Sequence, residues 1–327
     1  MILLAVNHHY VVEEPPQAPR AIFPTTVAEL ERELALLRGV FEFVSRDDVL
    51  AAVRGDSPLP ERACAITFDD GLRCQFEVAL PVLDRLGVPG IFFACGMPAD
   101  TGRAASVHKI HALRERLGDP ELLEWLGDAD VDPARASAMY SYDEPVAACV
   151  KYALNVVLPW EQRDALVDEI FTATLGSEQE FVDRLYMDDE QLRELAVRHA
   201  LGAHGYSHRP LARLDDVELA EELAWSESFL GDDVGVARTV ALSYPYGTPD
   251  AVDTRAARAA AAHGFEFAFT MEPALNRSLD QPLLLARIDV NDAPGGRHAK
   301  LEIVEGDLRL LGGVNPARTR YMSESGR

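Results

Sequence analysis

Apolar residues fall into two patterns along this chain, and the alternation between them predicts the fold. One pattern is a short unbroken run of strand formers: Met1 to Val6, Val40 to Val44, Ala63 to Phe68, Gly90 to Gly96, the residues leading into His204, Thr239 to Leu242, Phe265 to Thr270 and Leu283 to Val290. Runs of this kind read as strands buried on both faces. The other pattern is helical spacing. Val27, Leu30, Leu34 and Leu37 mark a helix capped by Thr25 or Thr26, running to about Arg38 with Gly39 past its end. Further helices are expected from about Asp47 to Arg54, from Gln75 to Leu86, from Asp188 to about His199, over Asp215 to Leu230 and from about Asp250 to Ala262. Pro81 should kink the second of these or remove one hydrogen bond. Residues 11–24 hold four prolines and read as a loop. Strand, helix, strand, helix is the order of a parallel sheet with crossover helices. About seven strands make a βα barrel, whose functional groups sit at the C-terminal ends of the strands.

The alternation stops over residues 98–187. That stretch reads as a helical insertion in a barrel spanning 1–315, with helices at Val107 to Leu117, Pro120 to Leu126, Glu144 to Val156 and Glu161 to Leu175. It is expected to shape the substrate cleft or to form a homo-oligomer contact. His108 and His111 share a helical face there; a surface or packing role is the ordinary reading of such a pair. Residues 316–327 have little to bury and read as a mobile tail.

Two stretches carry chemistry. In Thr67-Phe68-Asp69-Asp70-Gly71 a buried run ends on adjacent carboxylates. Side chains alternate along a strand, so the two aspartates point differently and can divide the work, one binding a cation and one handling a proton. The competing reading is a turn that caps the next helix. In His204-Gly205-Tyr206-Ser207-His208 the internal glycine favours a strand-to-loop transition over two histidines on a helix. One carboxylate plus two imidazoles is a sensible ligand set for a catalytic divalent ion with positions left open. One of the two aspartates, with His204 and His208, therefore makes the candidate metal-ligand set. Zn is the expected ion, and Co, Ni or Fe suit the same donors.

These two segments resemble the first two motifs of the polysaccharide deacetylases, the NodB-homology or carbohydrate esterase family 4. Ser243-Tyr244-Pro245-Tyr246-Gly247 is similar to the family's third motif, and the three occur in family order. His8-His9-Tyr10-Val11 and Glu77 to Leu83 resemble the branch that handles surface polysaccharides. The resemblance implies an irregular (β/α)7 barrel, with Asp70 joining His204 and His208 as metal ligands, Asp69 as general base and the backbone N–H of Tyr246 helping to hold the oxyanion. It aligns His9 with the general acid of that branch, while His8 and His298 are alternatives. Tyr244, Tyr246 and His8 are the candidate substrate contacts. Family members often carry an arginine where this chain has Ser243. Arg287, at the end of a late strand, is the candidate replacement, and an ion pair with Asp289 is its competing explanation. The candidate catalytic set is thus Asp69, His9, Arg287 and Tyr246.

Composition narrows the partners. The chain has 327 residues, 48% hydrophobic and 26% charged, the profile of a globular protein. Its formal net charge of −23 disfavours nucleic acid and anionic membranes. Cys64, Cys74, Cys95 and Cys149 show no C-x-x-C pair, no stretch reaches membrane-span length, and Met1 to Val6 is too short for a signal segment. A cytoplasmic protein is expected. The resulting expectation is a metal-dependent hydrolase that removes an N-acetyl group from an amino sugar or sugar-containing precursor. The alternatives are a deformylase or deacylase of a non-sugar small-molecule amide, and a non-catalytic carbohydrate-binding relative. A two-metal phosphatase finds no second Asp/His cluster.

Overall fold

The computed structural model describes residues 1–15, 21–127, 129–141, 143–236 and 238–311. The tail expected over 316–327 lies outside them. The chain forms two compact units, one of Met1–Pro15, Pro24–Thr101 and Leu185–Arg327, the other of Pro16–Phe23 and Gly102–Arg184.

The first unit is built on an all-parallel sheet of eight strands. Seven lie on one path: β1 (Ile2–His8), β2 (Arg62–Phe68), β3 (Gly90–Ala94), β4 (Leu201–Ala203), β5 (Ala241–Ser243), β6 (Phe267–Phe269) and β7 (Ile288–Asp289). Their order is β7-β1-β2-β3-β4-β5-β6, and the two-residue strand Glu42–Phe43 pairs with β2 off the path. A parallel bridge from Phe269 to Leu285 brings the two ends of the path together. The result is the irregular barrel expected from the sequence.

The alternation of side chains sorts the strands into two packed layers. Leu3, Ala5, Ala63, Ala65, Ile91, Phe93, Phe267 and Phe269 fill one cluster, while Leu4, Val6, Cys64, Ile66, Phe68 and Phe92 join the larger one with Leu30, Leu34 and Leu37 of the helix Val27–Arg38. That helix starts where the sequence indicates, with Thr26 and Glu29 making a reciprocal capping box. Along β1 and β2 the residues that continue the first layer are Asn7 and Thr67, which face each other in register. Polar groups therefore finish an apolar column at its C-terminal end.

Several segments differ from the sequence expectation, among them Val11–Val12, read as loop, which pairs in parallel with Thr25–Thr26. Gln75–Leu86 is not one helix: Gln75–Ala79 forms a π turn, and the α-helix proper begins at Leu80 with Pro81 in its first turn. The π turn closes with the Leu80 N–H donating to the Gln75 carbonyl, and Pro81, which has no N–H to donate, lies in the first turn of the α-helix. Leu283 to Val290 is not one strand. Pro282–Leu284 is a 3₁₀ turn, Leu285 pairs with β6, and the Asn276 side chain bonds both backbone groups of Ala286 before Ile288–Asp289 joins β1. The segment crosses from one neighbour to the other, so it cannot stay paired throughout. Leu301–Val304 and Asp307–Leu310 form an antiparallel hairpin that the sequence reading missed.

The second unit is helical. Its helices include Ser106–Leu117, Asp119–Trp125, Pro145–Tyr152 and Trp160–Leu175, packed around Leu113, Leu122, Val150, Val167, Ile170 and Phe171, and Pro133–Met139, whose Ala136 packs with Ala148, Cys149 and Tyr152. Lys109 is almost fully buried there and bridges Asp168 and Glu178. Among the described residues no helix is long and apolar enough to cross a membrane.

Candidate metal and catalytic centre

Asp69 and Asp70 follow β2 directly, and the backbone turns at once: Asp70 takes φ +82° and Gly71 φ +69°. Glycine is required at 71 because a Cβ there would meet the Ala94 Cβ at 2.9 Å. A left-handed aspartate is strained, and His208 and Tyr246 share that state with φ +62° each. Such backbone costs about 1–3 kcal/mol per residue and persists only where its surroundings enforce it.

Asp70, His204 and His208 converge. Asp70 Oδ1 lies 3.3 Å from Nε2 of His204 and 3.3 Å from Nε2 of His208. These three form the one group of three or more potential ligands among the described residues, with donor atoms within 4.8 Å of one another. A tetrahedral ion with bonds of about 2.0–2.1 Å separates its donors by about 3.3 Å, so the spacing fits. The tautomer fits too. His204 Nδ1 lies 2.8 Å from the Ser243 carbonyl oxygen, which can only accept, so Nδ1 carries the proton and Nε2 offers its lone pair. Burial lowers the His204 pKa, but Asp69 and Asp70 outweigh it and push the value up. Surplus negative charge thus favours a cation at this point, a proton or a metal.

Asp69 is held differently. Arg287 Nη1 donates to its Oδ1 at 2.8 Å and Nη2 to its Oδ2 at 2.6 Å, with both side chains buried. The Ser243 hydroxyl donates to Oδ2 at 3.0 Å, and Asn7 Nδ2 donates to the same oxygen at 3.1 Å. Arg287 also donates to Ser243 Oγ and Thr67 Oγ1. Burial alone would raise the Asp69 carboxyl pKa; Arg287 and His204 outweigh it, and His9 adds to them, so the net shift is downward. Asp69 is therefore a fixed carboxylate beside the ligand cluster, its Oδ2 3.9 Å from His204 Nε2. Arg287 bonds Asp69, while Asp289 accepts from Asn291.

His9 is half-buried just past β1, and its carbonyl accepts from Gln75 Nε2, which also donates to the Asp69 carbonyl. One fully buried amide side chain thereby ties the exits of β1 and β2 together. Tyr246 is half-buried, with its ring edge-on to His208 at 4.8 Å between centroids. His298 is exposed in the loop after β7.

Two sequence assignments are corrected. Tyr244, taken as a substrate contact, is fully buried in the larger core cluster and its hydroxyl donates to the Leu283 carbonyl, leaving no surface for a substrate. His8 is also fully buried. Alternation turns it away from Asn7, so its ring stacks on Phe68 and its Nε2 sits 3.2 Å from Glu33. In the second unit, His108 is buried with its ring 6.1 Å from that of His111.

The sequence reading overlooked Asn7, Gln75 and Glu222. Glu222 had a signal: Leu219, Leu223 and Ser226 form the buried stripe of the helix Asp216–Ser228, and Glu222 lies on that stripe. A carboxylate on an apolar helix face needs a partner.

A family model described as polysaccharide deacetylase matches residues 56–133 and 169–268. The chain is 30% identical over 99 residues to the poly-beta-1,6-N-acetyl-D-glucosamine N-deacetylase of Escherichia coli K12, a stretch amounting to 30% of this chain and 14% of that protein. It therefore spans a small part of that relative's length. Among solved structures, the deacetylase PplD of Streptococcus pyogenes superimposes with a TM-score of 0.55 at 13% identity, covering 89% of this chain and 92% of that one. IcaB from Ammonifex degensii gives a TM-score of 0.53 at 18% identity, with 88% and 91% covered. At these identities the superpositions speak for the barrel fold.

Proposed function

The chain belongs to the polysaccharide deacetylase family, and on that premise we propose that it is a metal-dependent N-deacetylase acting on an N-acetylated amino sugar or a precursor containing one. The observation that carries the reading is the pairing of two differently held carboxylates: Asp70 within reach of two histidines, and Asp69 clamped by Arg287 beside them.

Asp70, His204 and His208 would hold the divalent ion, Zn being the expected one, which when bound supplies Lewis acidity and acidifies a water. Asp69 takes the proton from the attacking water. Its carboxylate is kept charged and correctly turned by Arg287, Ser243 and Asn7, so Arg287 is a positioning residue. The backbone N–H of Tyr246 is assigned to the developing oxyanion. His9 is assigned to protonating the departing amine, and its influence on the Asp69 carboxyl supports its placement at the mouth.

For substrate, the Escherichia coli relative is named for a β-1,6-linked N-acetylglucosamine polymer, which makes such oligomers the first to test. The charge of −23 fits a neutral substrate and a cationic amine product. A cytoplasmic setting is part of the proposal, supported by four cysteines present as free thiols.

The test is metal analysis of purified protein together with acetate and formate release from N-acetyl and N-formyl sugars, including nucleotide sugars and β-1,6 and β-1,4 oligomers. Roughly one bound metal and acetate from a sugar support the proposal. Formate release, or turnover of non-sugar amides alone, points to the deformylase alternative. Folded protein that takes up no metal refutes the reading.

A further inference from the structure

We infer that Glu222 is a positioning residue for the two histidine ligands, its carboxylate holding the loop that carries both in a strained shape. This rests on the metal reading above.

The loop between His204 and His208 has little regular structure to define it. Gly205 and His208 are both left-handed, at φ +67° and +62°. A backbone in that state needs outside support. Glu222 provides it from the neighbouring helix. Its Oε1 accepts the backbone N–H of Tyr206 at 2.9 Å and of Ser207 at 2.7 Å, and its Oε2 accepts the Ser207 hydroxyl at 2.7 Å. Glu222 is 3% exposed, so water competes little for these bonds. The approach is close enough to explain Gly205, where a Cβ would stand 3.1 Å from Glu222 Oε1 and 3.2 Å from Pro245 Cγ.

Three acceptor contacts on two of the three residues between the ligands, Tyr206 and Ser207, fix where His208 leaves the loop. His204 is independently fixed by β4 before it and by the Ser243 carbonyl. Glu222 therefore sets the position of the second imidazole relative to the first. Purely structural stabilisation of the helix would not do this, since the helix has its own capping box at Asp215 and Glu218.

The chemistry separates two variants. In Glu222→Gln the amide oxygen can accept both N–H groups and the NH₂ can donate to Ser207 Oγ, so the clamp survives. In Glu222→Ala all three bonds are lost. Zn²⁺ affinity, measured by competition with a chromophoric chelator on the full chain, should fall about 10- to 100-fold in Glu222→Ala, the usual cost of losing groups that orient ligands. Glu222→Gln should stay within about threefold of wild type. Hydrogen exchange on metal-free protein should show faster exchange at Tyr206 and Ser207 in the alanine variant alone. If Glu222→Ala does not fold, Ser207→Ala removes one bond and should weaken Zn²⁺ binding about fivefold. Wild-type affinity in Glu222→Ala overturns the inference. So does a glutamine variant that falls as far as the alanine one, since charge and not acceptance would then matter. A wild-type chain that binds no Zn²⁺ overturns the metal reading and this inference with it, a failure distinct from the first two.

Discussion

Replacing Arg287 by Met tests the arrangement around Asp69 without touching a proposed ligand. The change keeps much of the stem that fills the column but removes a fully buried guanidinium, one lying 5.9 Å and 5.8 Å from the ring centres of Phe93 and Phe269. Asp69 would keep two donors, Asn7 and Ser243, and lose both arms of the bidentate pair. Breaking one side of a buried ion pair costs about 3–5 kcal/mol, because the remaining charge is stranded. That is a large part of a typical stability of about 5–15 kcal/mol, yet it leaves a folded protein to measure. The assay is urea unfolding of metal-free Arg287→Met, Asp69→Asn and the double variant. The cycle should return a coupling energy of about 2–3 kcal/mol. The pH dependence gives a second readout. Asp69 has a folded pKa below its unfolded one, so its contribution is complete above about pH 4 and drains away as the pH falls through the folded value. Without Arg287 the folded pKa rises toward or past the unfolded one, so the acid-side loss should shrink or reverse while its upper edge stays at the unfolded value. A coupling below about 0.5 kcal/mol, with an unchanged acid limb, would refute the claim that Arg287 holds the charge of Asp69.

Asp69→Asn should retain stoichiometric metal and lose about 10²–10⁴ in kcat, the range for a general base; near-full activity would remove Asp69 from that role. His204→Ala should bind metal much more weakly in elemental analysis after dialysis, with the barrel's far-UV CD spectrum intact; undiminished metal content would mean that the ligands lie elsewhere. His9→Gln should slow turnover of substrates with poor amine leaving groups by about 10²-fold or more, while aryl acetates, which need no proton on departure, lose far less. Equal losses on both substrates would move the acid role to another group.

Much of the barrel is legible in the chain because both of its patterns are written in apolar residues. The unbroken apolar runs of β1 and β2 and the capped helix at Val27–Arg38 follow from side chains that local rules describe. The failures occur where a partner distant in sequence decides the outcome. Leu283 to Val290 looks like one strand by composition, but Leu285 pairs with Phe269 while Ile288 pairs with Val6, and no local signal marks the crossing. At the site, the adjacent aspartates and the His-x-x-x-His spacing carry their own chemistry and could be read directly. His8 was misread because side-chain direction depends on the face of β1 that meets the column, and His8 is the residue turned outward. Asn7, one position earlier, is the inward one.

The serine at 243 shows why position in a motif is a poor guide to where a charge will be. A guanidinium acts on Asp69 through the direction of its two arms, and any strand end facing the column can supply it. Ser243 comes from the end of β5, whereas Arg287 arrives just before β7, from the β1 side of the ring. The two still meet: Ser243 Oγ accepts from Arg287 Nη2 at 2.7 Å and donates to Asp69 Oδ2 at 3.0 Å. The short side chain leaves the volume that the long one fills. Each residue therefore constrains the other. An arginine at 243 in a chain that keeps Arg287 would force a second buried cation into fully occupied space, combining overpacking with charge repulsion. Only the paired exchange, Ser243→Arg with Arg287→Ser, offers Asp69 one guanidinium and one hydroxyl again.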